Sequence, residues 1–270
     1  MRQVFTAPSN LLKNYVDYYF IFENTDNSSG TVDVFPSPSP SMVFSFGNKN
    51  IQEYVDNGQN KKPNSDFAID TYVLNKRKFI GKDNFGIIVV SFKPWAIHDF
   101  ICFHVKEASG QRIVLKDIYP LKTEQLEEKL YHANNDAERI MAVESFLLSI
   151  LKNVTIDQRV KYACNIIRNS VGMEKIYDIA TNVNLSEKQF NRNFIETTGI
   201  SPKLYSRLER FYYAITRMKQ QQVSLSHIAF DAGYFDQSHF IREFKNFTKT
   251  TPLEYQKNAK DNFFGHPLNF

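Results

Sequence analysis

Arg192 and Arg242 are the residues from which a chemistry can first be read. Each stands between two phenylalanines, Phe190 and Phe194 in one case and Phe240 and Phe244 in the other, and the two groups are fifty residues apart. Phenylalanines four apart on a helix point inward together, which leaves the intervening arginine facing out. A guanidinium so held offers a rigid fork of donors that fits guanine O6 and N7, a phosphate or a neighbouring carboxylate. His98, Cys102 and His104 are close enough to suggest a metal, and at helical spacing His98 and Cys102 would share a face. No third or fourth ligand accompanies them, so no metal is expected; Cys102 reads as a small core residue and the histidines as structural. Neither a nucleophile motif, a His/Glu cluster nor a phosphate loop is present, so no catalytic residue and no cofactor are expected.

The elements that must position the two arginines are themselves duplicated. Ile179-Ala180 recurs as Ile228-Ala229, and Thr198, Pro202 and Tyr205 recur as Thr248, Pro252 and Tyr255, with one residue inserted between the blocks. Each copy spells helix, short turn, helix. In the first, Ile176, Ile179 and Ala180 form an inner face, Asn184 permits a left-handed turn, and Ser186 with Gln189 makes a capping box. In the second, Leu225, Ile228 and Ala229 face inward, Gly233 turns the chain, and Asp236 caps. Gly199 closes the first of these helices, and Ser201-Pro202 and Thr251-Pro252 open new ones. The spacing predicts helix-turn-helix units over about 174–198 and 224–248. Between them, Leu204, Leu208, Phe211, Ile215 and Met218 predict a helix over about 202–221, a rod of roughly 30 Å.

Before about residue 155 the pattern is different. Strands are predicted at Tyr18–Glu23, Met42–Phe46, Ile51–Val55, Phe67–Leu74 and Phe85–Phe92, with an exposed loop around Asn57–Ser65. Helices follow at Trp95–Cys102, Thr123–Tyr131 and Asp136–Leu151. Phe20, Phe22, Phe44, Phe46, Phe92, Trp95 and Phe100 read as core, with an apolar pocket as the alternative. Ile140, Val143, Leu147, Leu148 and Leu151 pack on their own domain or form a dimer seam.

The chain has 270 residues with 42% hydrophobic and 23% charged, which is ordinary for a two-domain globular protein. No apolar run is long enough to span a membrane and no secretory leader is read, so no membrane partner is expected. Two distant cysteines, Cys102 and Cys164, fit a reducing cytoplasm. Residues 1–155 hold 17 basic against 18 acidic residues, whereas the remaining 115 hold 16 against 11. The basic excess thus belongs to the half with the duplication, as expected of one that meets a polyanion.

Residues 156–258 resemble the DNA-binding domain of the AraC/XylS family of bacterial transcription regulators. The residues that carry the resemblance are Ile228-Ala229, Gly233-Tyr234, Asp236, Ser238-His239-Phe240, Arg242, Phe244-Lys245, Thr251-Pro252 and Tyr255. The first half resembles a sensor domain of unknown function found ahead of such regulators, through Leu11, Tyr15, Tyr19, Pro40 to Gly47 and Phe92-Lys93-Pro94-Trp95-Ala96. It departs from that pattern at Trp95, where glycine is expected. The resemblance implies base-facing residues at Lys188, Asn191 and Arg192 and at Gln237, Ser238, Ile241 and Arg242. Lys203, Arg207, His239, Lys245 and Lys249 are expected at the DNA backbone.

The fold expected is α+β. An N-terminal β-barrel or sandwich-like (cupin-like) domain with appended helices covers 1–155. An all-α domain with two helix-turn-helix motifs joined by a long helix covers 156–258, and a tail, 259–270, has no assigned role. The function expected is a sequence-specific regulator that reads a double-stranded DNA operator in successive major grooves and acts on RNA polymerase. An unknown small-molecule effector would act at the first domain, through the helices between Thr123 and Ser170. A homodimer is left open. The alternatives are a DNA-binding assembly factor whose first domain binds protein, and, more distantly, a metal-dependent barrel enzyme that also binds DNA.

Overall fold

A computed structural model describes residues 2–24, 30–47, 51–55, 67–81, 84–152, 154, 156–218 and 223–258. Expectations for the loop at 57–65, for the linker helix beyond 218 and for the tail from 259 fall outside the described residues. Among those described, nine strands form two antiparallel sheets: β1 (Arg2–Thr6), β2 (Val16–Asn24), β3 (Gly30–Val34), β4 (Ser41–Gly47), β5 (Ile51–Val55), β6 (Phe67–Asp70), β7 (Arg77–Gly81), β8 (Phe85–Phe92) and β9 (Arg112–Val114). The larger sheet runs β1-β2-β8-β4-β6-β9 and the smaller β3-β7-β5. Strand β6 stops at Asp70, short of the predicted Leu74.

Alternation along the strands gives the larger sheet two buried faces. Tyr19, Ile21, Met42, Phe44, Ile88, Val90 and Phe92 turn to one side, into a core with the helices that follow the sheet. Tyr18, Phe20, Ser41, Val43, Ser45, Ile87, Val89 and Ser91 turn to the other side, toward the smaller sheet. The covering helices are α1 (Leu115–Ile118), α2 (Pro120–His132) and α3 (Asp136–Ile150). Asn135 caps α3 by accepting from Glu138 N–H at 2.9 Å. Val143, Phe146, Leu147 and Ile150 are buried against the sheet, so this stripe serves its own domain.

The apolar spacing after Pro94 does not give an α-helix. Only Ile97–Phe100 coils, as a single 3₁₀ turn. The chain is captured there by distant contacts: Asp99 Oδ1 accepts from Val154 N–H at 2.6 Å, and its carbonyl accepts from Lys152 N–H at 3.0 Å. Tertiary contacts of this kind override a short periodic signal. Cys102, expected in the core, is exposed as a result, whereas Cys164 is buried.

The described residues that follow form helices: α4 (Gln158–Asn169), α5 (Ile176–Asn182), α6 (Glu187–Thr198), α7 (Pro202–Arg217), α8 (Leu225–Asp231), α9 (Gln237–Thr248) and α10 (Pro252–Asn258). Helix α7 spans 16 residues, about 24 Å at 1.5 Å per residue. The two halves share a core, because Phe35, Tyr72, Trp95 and Ala96 pack into the cluster built by α4 to α10. Gly199, with φ +87°, ends α6 against Val105, whose Cγ1 would lie 2.6 Å from an added Cβ. No described helix is long and apolar enough to cross a membrane.

Candidate nucleic-acid interface and interior cavity

Helices α6 and α9 are built alike. Ser186 accepts from Gln189 N–H at 3.3 Å while Gln189 Oε1 accepts from Ser186 N–H at 3.2 Å, so the capping box is complete. Asn184, at φ 55°, makes the reversal before it. In α9, Asp236 accepts from His239 N–H at 2.6 Å, and Gly233, at φ 71°, makes the reversal. Phe190 and Phe194 anchor the first helix, and Phe240, Phe244 and Phe247 anchor the second; all are buried. The inward pull of these rings sets which residues face out.

Lys188, Asn191 and Arg192 are exposed on α6, as are Gln237, Ser238, Arg242 and Lys245 on α9, with Ile241 half-buried beside them. Neither Arg192 nor Arg242 is paired with a carboxylate among the described residues. Gln237 accepts from Ser226 Oγ at 2.9 Å, which ties the head of α9 to α8. His239 is half-buried, its ring edge-on to Tyr234 at 5.4 Å. Lys203 and Lys249 are exposed, and Lys249 forms the left-handed end of α9. Arg207 is engaged within the fold: its Nε donates to Glu243 at 2.9 Å and its guanidinium lies over Phe247 at 5.3 Å, bracing α7 against α9.

One feature of the site is absent from the reading of the sequence, and a second entered it only as the alternative to a plain core. Phe235 is 93% exposed immediately before the cap of α9, and Phe230 on α8 is 79% exposed. The second feature is a cavity of about 110 Å³ between the two sheets, lined by Phe5, Phe20, Val43 and Phe79 among others and also by Tyr212 of α7. Of the seven aromatics read as core, Phe20 lines this cavity while Phe44, Phe92 and Phe100 lie in the core under the helices. Serines at alternate positions in otherwise apolar strands, Ser41, Ser45 and Ser91, were the available signal for it. His98 sits 3.7 Å from Asp99, and no group of three or more potential metal ligands occurs among the described residues.

The halves meet through charge as well as apolar surface. Arg168 of α4 pairs with Asp17 of β2 at 3.0 Å and with Glu209 of α7 at 3.5 Å. Burial works against the charge on Arg168, but the facing Tyr205, Asp17 and Glu209 hold its pKa well above the ordinary value. Burial raises the Glu209 carboxyl above the ordinary range, against the pull of Arg168. Burial also pushes Tyr18 up to about 12. Of the helices from Thr123 to Ser170 expected to couple the halves, α4 makes this link; α6 and α7 also touch the β-rich half.

Residues 179–258 match a helix-turn-helix domain of the AraC type, and residues 5–114 match a domain of unknown function, DUF6597. The C-terminal part of the chain thus carries an AraC-type helix-turn-helix domain. Relatives of the chain include an uncharacterized HTH-type transcriptional regulator of Haemophilus influenzae, 32% identical over 92 residues, and the Msm operon regulatory protein of Streptococcus mutans, 29% identical over 126. These alignments take in 34% and 44% of this chain and 30% and 44% of the relatives' own length. ToxT from Vibrio cholerae aligns over 88% of this chain and 97% of its own, with a TM-score of 0.50 and 12% identity, a likeness of fold.

Proposed function

We propose that the protein is a DNA-binding transcription regulator whose helices α6 and α9 enter successive major grooves of one operator. The observation that carries this reading is the pair of helices, each capped at its head by a side chain and each with an exposed polar stripe and an arginine that pairs with no carboxylate among the described residues, packed on the common helix α7. Arg192 and Arg242 would read guanine edges, Asn191 and Gln237 adenine, and Ile241 a thymine methyl. Lys203, Lys245 and Lys249 would neutralise phosphates, and contact with RNA polymerase would follow from the operator's position at a promoter. The names of the relatives support the regulatory role.

We also assign control to the β-rich half. Its cavity is lined in part by Tyr212, a residue of the helix on which both reading heads pack, so an occupant would touch the element that sets their geometry. A ligand shifts such an equilibrium only through a difference in affinity for two arrangements, and a wall shared by both halves supplies a place for that difference.

The test is a titration of the full chain against DNA flanking its own gene and against a shuffled duplex, at several salt concentrations. Selective binding with a steep salt slope is expected. Replacing Arg242 or Arg192 with Ala should weaken the flank complex by about 1–3 kcal/mol while leaving shuffled DNA nearly unchanged. Equal losses on both duplexes would reduce the arginines to phosphate clamps, and no DNA binding at any salt would overturn the reading.

A further inference from the structure

Helix α4 ends in a way that its sequence disfavours. Gly172 N–H donates back to the Ile167 carbonyl at 2.7 Å and Val171 N–H to the Arg168 carbonyl at 3.0 Å, the paired bonds of a Schellman stop. The left-handed position of such a stop, usually given to glycine, is held by Val171 at φ 53°, and Gly172 follows at φ 69°. A β-branched residue is strained there and persists only where its surroundings over-determine the backbone.

Those surroundings come from α7 and from the second helix-turn-helix unit. Gly172 lies against α7, where a Cβ would overlap the Ser206 carbonyl, and its own carbonyl accepts from Arg210 Nη1 at 3.3 Å. Met173, the next residue, reaches the second unit. Its Cγ and Sδ occupy the place that a Cβ on Gly233 would take, at the reversal between α8 and α9. The Arg210 guanidinium lies 5.9 Å from the ring centre of Tyr234, the residue that follows this reversal. The connection then leads into α5, so it ties the entrance of the first unit both to α7 and to the turn of the second.

Helices α6 and α8 each pack on α7, but two packed helices can still slide past one another. A further contact that joins the units directly removes that freedom. We infer that Val171–Met173 and Arg210 form a staple that fixes the second helix-turn-helix unit against the first, and so sets the half-site separation that the protein accepts. The inference rests on the proposed reading of two successive grooves. Each base pair added between half-sites carries the second about 3.4 Å along the duplex and roughly 35° around it. Heads locked in one relation cannot follow that step and forfeit the contacts of one half-site, whereas heads on a loose joint can follow it. Met173 is 51% exposed, so trimming its side chain cuts the staple without opening the core.

The probe is a duplex selected by the full wild-type chain from a random pool, with its two half-sites located by footprinting. Fluorescence anisotropy then compares that duplex with the same duplex carrying one extra base pair between the half-sites. Wild type should lose at least about thirtyfold on the insertion, the loss expected when one half-site's contacts are forfeited. Met173→Ala should lose less than about fivefold, while holding the uninterrupted duplex within about threefold of wild type. Met173→Leu, which refills the place against Gly233, should restore the wild-type loss. Arg210→Met keeps the stem without the guanidinium and should behave as Met173→Ala, a second variant by an independent contact. A role confined to stability would weaken binding to both duplexes alike; an insertion loss equal in wild type and both cut variants would therefore overturn the staple alone. Tolerance of the insertion by wild type would overturn it too. Selection of no duplex, or of one with a single half-site, would overturn the two-groove reading and the staple with it.

Discussion

Arg207 and Arg242 show how two arginines of one basic surface come to do different work. Arg242 is exposed on α9 and unpaired among the described residues, so its donors are available to a base or phosphate. Arg207 spends its Nε on Glu243, whose side chain is 8% exposed, and its planar face on Phe247. Removing it leaves a nearly buried carboxylate without its cation, a larger loss than an exposed ion pair would give. Arg207→Ala should therefore lower stability by about 1–3 kcal/mol in a denaturant melt. The remaining folded protein should bind flank and shuffled DNA with equal small losses. A selective loss on the flank, with stability unchanged, would return Arg207 to the DNA surface. The sequence could not separate these two arginines, since the deciding partner, Glu243, is 36 residues away.

At the scale of elements, the caps matter because they fix where each reading helix begins. Asp236 takes the His239 N–H at the head of α9, and Gln237 and Ser238 occupy the first exposed positions after it. Asp236→Ala should cost about 1 kcal/mol of stability, the usual worth of such a cap. It should also weaken flank binding more than Ser224→Ala, which uncaps α8 without freeing the head of α9; equal effects on DNA would mean that cap position is not transmitted to the interface. These local signals were legible. Ser186, Ser201, Asp236 and Thr251 cap where their spacing to Gln189, Leu204, His239 and Glu254 places them, and Asn184 and Gly233 turn with positive φ. Less was legible in the β-rich half. The strands β4 and β8 are visible as apolar runs, but nothing local says that they are neighbours. Without that pairing, Ser41, Ser91, Asp70 and Arg112 are four scattered polar residues instead of one row across the sheet. The helix expected after Pro94 was lost to contacts made by Asp99 more than fifty residues ahead.

For the molecule as a whole, the decisive feature is that the halves are not independently closed. Tyr72 and Trp95 complete the helical core, and Asp17, Arg168 and Glu209 lie together where the halves meet. Two carboxylates face one guanidinium there, with the Tyr205 hydroxyl close by, so the cluster holds one negative charge too many for its burial. Glu209 answers by raising its pKa through desolvation, which Arg168 only partly offsets. The sign of the consequence follows from linkage. A carboxyl whose folded pKa exceeds its unfolded value keeps its proton longer in the native state; its contribution is full below the ordinary carboxylate pKa and is lost as pH rises through the folded value. Wild-type stability should therefore fall across the pH range just above the ordinary glutamate value, and Glu209→Gln should remove that fall while keeping a hydrogen-bonding group toward Arg168. Thermal melts of both proteins from about pH 4.5 to 8 check it: the variant's Tm should gain on wild type as pH rises. A constant offset between the two curves would mean that Glu209 is ionised throughout. The Asp17–Arg168–Glu209 cluster would then hold the two halves equally across that range.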